Sequence, residues 1–165
     1  MNRYMRVRYL VSFILVFQLN SAFADQWLYI NPLKPDEFLS IETDPDLIGM
    51  FDVRDNAKYC ESSSEYICIE STEFQFHVPR NILEHDKSWN IKDVKYQVVF
   101  KKDIMFFGIM DTIYYIDQLG LDHKITFLYS TSRGLVGVGG VSENGSAIFL
   151  LDVKCGYGAP SNCAE

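Results

Sequence analysis

KITFLYSTSRGLVGVGGVSENGSAIFLLDV, residues 124–153, decides the fold. From Lys124 to Thr131 the chain alternates around Ile125, Phe127 and Tyr129, the period of a strand with one buried face. Ser132-Arg133-Gly134 turns it, and Leu135 to Ser142 returns. Asn144-Gly145 carries the strongest short hairpin signal, and Ala147 to Val153 closes a three-stranded antiparallel meander. In the middle strand Gly137 and Gly139 share a face with Leu135 and Val141. Two glycines on one face point to a bend, a bulge or a close approach, with an aromatic ring of the same core as the expected neighbour. The run from Gly134 to Gly140 is not a phosphate cradle, because that chemistry needs a following helix and here strand patterning continues on both sides.

Upstream, Met105 to Ile116 is apolar except at Asp111 and Thr112, which suits a central strand buried on both faces. Lys101-Lys102-Asp103 reads as a tight polar turn after a strand over Val94 to Phe100. Glu73 to Val78 puts Phe74, Phe76 and Val78 on one face, and Pro79 ends it. Residues 80–92 read as a loop anchored by Ile82, Leu83 and Trp89, with room for a helical turn. Trp27 to Ile30 opens the fold as a strand, and Asp36-Glu37-Phe38-Leu39 suits one helical turn with its acids at the positive end of the dipole. After the turn at Asp44-Pro45-Asp46, Met50 to Arg54 is expected to pair with Tyr66 to Glu70 as a hairpin. Aromatic residues make up 15% of the chain, nearly all Phe and Tyr, which favours strands. The expected class is mainly β: an antiparallel sheet, as a sandwich or partly closed barrel, with a C-terminal three-stranded meander and one or two short helical turns. An α+β arrangement stays open.

Residues 1–24 read as a cleaved signal peptide. Arg3, Arg6 and Arg8 precede the apolar run Leu10 to Leu19, and Ala22-Phe23-Ala24 is a small-x-small cleavage pattern. The run is far shorter than the roughly 20 residues of a membrane span, so no membrane anchor is expected after cleavage. Residues 25–165 then form a single exported globular domain, periplasmic or secreted. The whole chain has 15 basic and 22 acidic residues, and the leader takes away three Arg and no acid, leaving 12 against 22, or −10. That balance argues against nucleic acid, whose phosphates need a basic footprint, and favours a basic partner. Oligomeric state is not legible.

The four cysteines form two equally spaced pairs, Cys60 with Cys68 and Cys155 with Cys163. Three connectivities are possible, and the turn formers inside each interval favour the local disulfides. A zinc site would place paired cysteines closer, about two to four residues apart, so no metal is expected. Of the histidines, His77 lies on a strand opposite Phe74 and Phe76, while His85 and His123 have acidic neighbours. No pair has helical metal-site spacing, and no serine sits in a nucleophile elbow, so no catalytic residue and no cofactor is assigned. Asp44 with Asp46, Asp52 with Asp55, and Glu61 with Glu65 read as solvated loop charge, because the EF-hand spacing is missing. Asn144-Gly145-Ser146 matches a glycosylation acceptor but is explained as a turn.

The expected function is protein binding, by surfaces in the stapled loops: Ser62, Ser63, Ser64 and Glu65 in the first, Tyr157, Ala159 and Asn162 in the second. A disulfide-closed loop loses less freedom on recognition. In size, leader and acidity the chain resembles bacterial lysozyme inhibitors and toxin-immunity proteins, which implies an inhibitor or immunity-type protein against a basic partner. No inhibitory motif aligns, so no residue role is carried over. Two other readings stand beside it: a small exported hydrolase without a recognisable motif, and a structural subunit of an envelope assembly.

Overall fold

The computed structural model describes residues 26–84, 87–106, 108–120, 124–142 and 145–163. Residues 1–24, read in the sequence as a signal peptide, lie outside them, as do His85, His123 and Asn144. The described residues form thirteen strands: β1 (Gln26–Ile30), β2 (Phe38–Thr43), β3 (Asp46–Met50), β4 (Val53–Asn56), β5 (Lys58–Tyr59), β6 (Tyr66–Glu70), β7 (Gln75–Pro79), β8 (Ser88–Ile91), β9 (Val94–Phe106), β10 (Ile109–Leu119), β11 (Lys124–Ser130), β12 (Gly134–Ser142) and β13 (Gly145–Leu151). Ten make one open antiparallel sheet in the order β4-β3-β2-β1-β13-β12-β11-β10-β9-β8, and β5-β6-β7 make a second.

The first and last strands are neighbours, with Tyr29 opposite Leu151. Each half of the chain therefore extends the sheet outward from a shared centre by successive hairpins. The small sheet covers the inner face of the large one. Phe74, just before β7, and Phe76 within it lie 5.7 and 5.0 Å, ring to ring, from Phe127 of β11. One wing holds it through the Tyr59 hydroxyl, 2.8 and 3.0 Å from the carbonyl oxygens of Glu42 and Leu47. The other wing holds it through Trp89 Nε1, which donates to the His77 carbonyl at 3.2 Å, and Tyr96 Oη, which donates to the Gln75 carbonyl at 3.3 Å. The large sheet thus curls around the small one without its end strands, β4 and β8, meeting.

The C-terminal meander matches the sequence reading, with Phe127, Val138 and Phe149 in line across its core face. Elsewhere the structure departs from expectation. No helix occurs among the described residues. Asp36 and Glu37 belong to a turn in which Glu37 N donates to Lys34 O at 2.9 Å, and Phe38 already begins β2. The end of the 80–92 segment is β8, because Trp89 buries itself against Tyr96, rings stacked at 5.8 Å. Met50 to Arg54 is not one strand but the tip of the β3–β4 hairpin, and Tyr66 to Glu70 pairs instead with β5 and β7. Lys101-Lys102-Asp103 is not a turn. It lies inside β9, whose last residue, Phe106, pairs with Ile109 of β10, so Met105 and Ile109, Met110 flank an exposed hairpin tip and not a buried central strand.

Gly137 and Gly139 of β12 separate as well. A Cβ on Gly137 would stand 2.6 Å from Leu128 Cδ1 and 3.1 Å from Leu150 Cδ2, whereas on Gly139 the nearest atom is 3.8 Å away. The close neighbours are therefore leucines and not an aromatic ring. Gly137→Val is expected to cost about 1 to 3 kcal/mol by overpacking. Gly139→Ala should change stability by less than about 0.5 kcal/mol, the ordinary range for an uncrowded site. Urea unfolding of both variants checks the contrast, and equal losses would contradict it.

Candidate binding groove

Met50 pairs with Val53, which leaves Phe51-Asp52 as a two-residue hairpin loop. Such loops call for positive φ, normally met by Gly or Asn. Here Phe51 adopts φ 54, a conformation that costs an L-residue with a bulky side chain roughly 1 to 2 kcal/mol. The other hairpin loop with this feature puts Lys92 at φ 54, and that side chain reaches Glu70 at 3.1 Å. Phe51 has no ion pair to serve. Its ring stands edge-on to Phe149 at 5.7 Å and remains 49% exposed.

Beneath that ring lies an apolar groove of about 460 Å³ lined by Met50, Phe51, Phe74, Ile125, Val138 and Phe149. A second hollow of about 320 Å³, reaching Ile48 and Val53, shares Met50, Phe51 and Phe74 with it. The space exists because Gly140 and Ala147 pair at the end of the meander, and nothing lies within 4 Å of where a Gly140 Cβ would be. Glu37, Glu73 and Asp55 stand at the rim, against one base, Lys34, which Glu37 already binds at 2.7 Å. The Thr72 backbone N–H, 2.8 Å from Asp55 Oδ2, holds that carboxyl below the usual range, so it stays ionised. An apolar floor with a negative rim can seat an apolar side chain flanked by basic ones.

The stapled loops are elsewhere. Both local disulfides are present, with Cα separations of 5.1 Å for Cys60–Cys68 and 6.0 Å for Cys155–Cys163. They fit an oxidising, extracellular-type environment. Ser62, Ser63 and Glu65 are exposed and Ser64 half-buried, in a loop braced by Arg80 Nε, which donates to the Ser64 carbonyl at 2.8 Å. This loop and the groove lie at opposite ends of β6. In the second loop Ala159 is half-buried and Asn162 exposed, but Tyr157 is only 8% exposed. Its ring packs edge-on against Trp27 at 5.3 Å, and its hydroxyl donates to the Cys68 carbonyl at 2.7 Å. Tyr157 therefore ties the C-terminal loop to the first disulfide. Its buried ring is not offered to a partner.

His77 is buried too, between Tyr96 Oη at 3.2 Å and Glu70 Oε1 at 3.0 Å. Burial pushes its imidazole pKa below 6.5 despite the Glu70 charge. The unfolded chain thus takes up a proton that the folded chain resists, so stability present above about pH 6.5 is lost as pH falls below it. Denaturation midpoints from pH 7.5 to 5 should decline, and His77→Gln should flatten that decline; an unchanged slope would contradict the assignment. Among the described residues no group of three or more His, Cys, Asp and Glu could hold a metal. No family model matches the chain, and no curated protein or solved structure is significantly similar to it.

Proposed function

We propose that the mature chain is an exported protein-binding module, periplasmic or secreted, that recognises a basic protein by taking an apolar side chain into the Phe51 groove. The observation that carries this reading is Phe51 itself: a bulky residue held at positive φ where glycine would be easier, half-exposed over an apolar floor. Backbone strain of this kind gathers at functional positions. The acidic rim and the mature charge of −10, from 12 basic and 22 acidic residues once the three leader Arg are gone, favour a cationic partner and would speed its encounter. An inhibitor or immunity-type role against a basic enzyme fits this chemistry. The hydrolase reading has less support, since His77, the one histidine among the described residues, is already engaged by Tyr96 and Glu70.

Immobilised mature chain, challenged with an extract of the producing cells, tests the proposal when run beside a Phe51→Gly variant. The expected result is a basic protein retained by the first and lost from the second, with an association rate that falls as salt rises. Retention equal on both columns would set the groove aside.

A further inference from the structure

The long hairpin of β9 and β10 outruns its neighbour. β8 pairs only with Val94 to Gln97 of β9, and β10 occupies the other side. From Val99 to Met105 one side of β9 therefore has no strand partner among the described residues. Alternate residues of an antiparallel strand direct N–H and C=O away from the existing partner, so this segment offers a row of ladder groups. Such edges recruit further strands unless charge or shape prevents it. Side chains on both faces are accessible: Phe100 is 51% and Met105 65% exposed, and Lys101, Lys102 and Asp103 are exposed.

The order of residues along this edge, Phe100-Lys101-Lys102-Asp103-Ile104, is close to self-complementary under reversal. We propose that the edge pairs antiparallel with the same edge of a second copy, about a two-fold axis at Lys102, giving a dimer with one continuous sheet. A two-fold axis normal to the sheet keeps faces matched. In this register Lys101 of each copy stands opposite Asp103 of the other, and Phe100 opposite Ile104, which extends the Phe100–Tyr115 stack at 4.0 Å. The cost is one like-charge pair, Lys102 with its copy, at the axis. A shift of two residues one way sets Lys101 against Lys101 and Phe100 against Lys102, and the other way sets Asp103 against Asp103 and Lys102 against Ile104. The charges therefore select one register and oppose its neighbours, which is more than a solubilising edge needs.

Sedimentation of the mature chain over a concentration series, with circular dichroism to confirm folding, tests this. Wild type is expected to dimerise reversibly. Lys101→Asp and Asp103→Lys each create two like-charge pairs and should weaken the dimer about 10- to 100-fold. The double variant Lys101→Asp/Asp103→Lys restores both opposite-charge pairs and should return the dimer. A wild type monomeric at all concentrations, single variants without effect, or a double variant no better than the singles would each overturn the proposal.

Discussion

Replacing Arg133 with Met is expected to remove about 3 to 5 kcal/mol of stability, the usual cost of leaving a buried charge without its partner. Arg133 read in the sequence as an ordinary turn residue, yet its side chain is buried against the turn end of the β9–β10 hairpin. Nη1 donates to the Lys154 carbonyl at 3.0 Å and Nη2 to the Phe106 carbonyl at 3.1 Å, while the guanidinium lies 5.2 Å from the Phe106 ring centroid. Nε stands 3.1 Å from Asp111 Oδ2, an ionic contact without hydrogen-bond alignment. One side chain thus joins the long hairpin, the β11–β12 turn and the C-terminal segment. Asp111 keeps hydrogen bonds from Ser130 at 2.7 Å and Ser132 at 2.9 Å, so Asp111→Asn in the Arg133→Met background should recover part of the loss. Denaturant unfolding measures both effects, and a loss below about 1 kcal/mol, the range of an exposed ion pair, would contradict the buried role.

Phe51→Gly is expected to split binding from stability. The glycine relieves the positive φ, worth roughly 1 to 2 kcal/mol, and gives up the Phe149 ring contact, worth about 0.5 to 1.5 kcal/mol. These nearly cancel, so unfolding should shift by no more than about 1 kcal/mol. Binding of the basic partner should weaken by at least about 2 kcal/mol, near 30-fold, as for an aromatic anchor at the centre of an interface. An aromatic kept for the fold alone would show the reverse pattern, a stability loss with affinity intact.

Legibility in the sequence followed locality. The meander was readable because Ile125, Phe127 and Tyr129 alternate and the turns lie within a few residues of the strands they join. The β9–β10 hairpin is hidden in the sequence for a physical reason. Lys101 to Asp103 lies at the sheet edge past the reach of β8, with all three residues exposed, where a strand has no need of alternating apolar residues and so resembles a turn. The partners of Tyr66 to Glu70 depended on the chain from Phe74 to Pro79 folding back, a competition between hairpins that single-strand patterns do not rank. Tyr157 sits in a Gly-Ala-Pro-Ser-Asn setting that reads as surface, and only its distance from Cys68 in space reveals the clamp. The groove had one faint signal, an aspartate after a lone aromatic between Met50 and Val53. Phe at a position that turn chemistry reserves for Gly or Asn hides the turn and marks the site at once.

The most direct measurement is photo-crosslinking from a reactive side chain placed at position 51, with the same group at position 63 in the first stapled loop, in mature protein challenged with extract of the producing cells. The groove account predicts a crosslink to a basic protein from position 51, blocked by excess unlabelled wild type, and none from position 63. Crosslinking from position 63 with position 51 silent would contradict it and return recognition to the disulfide loop.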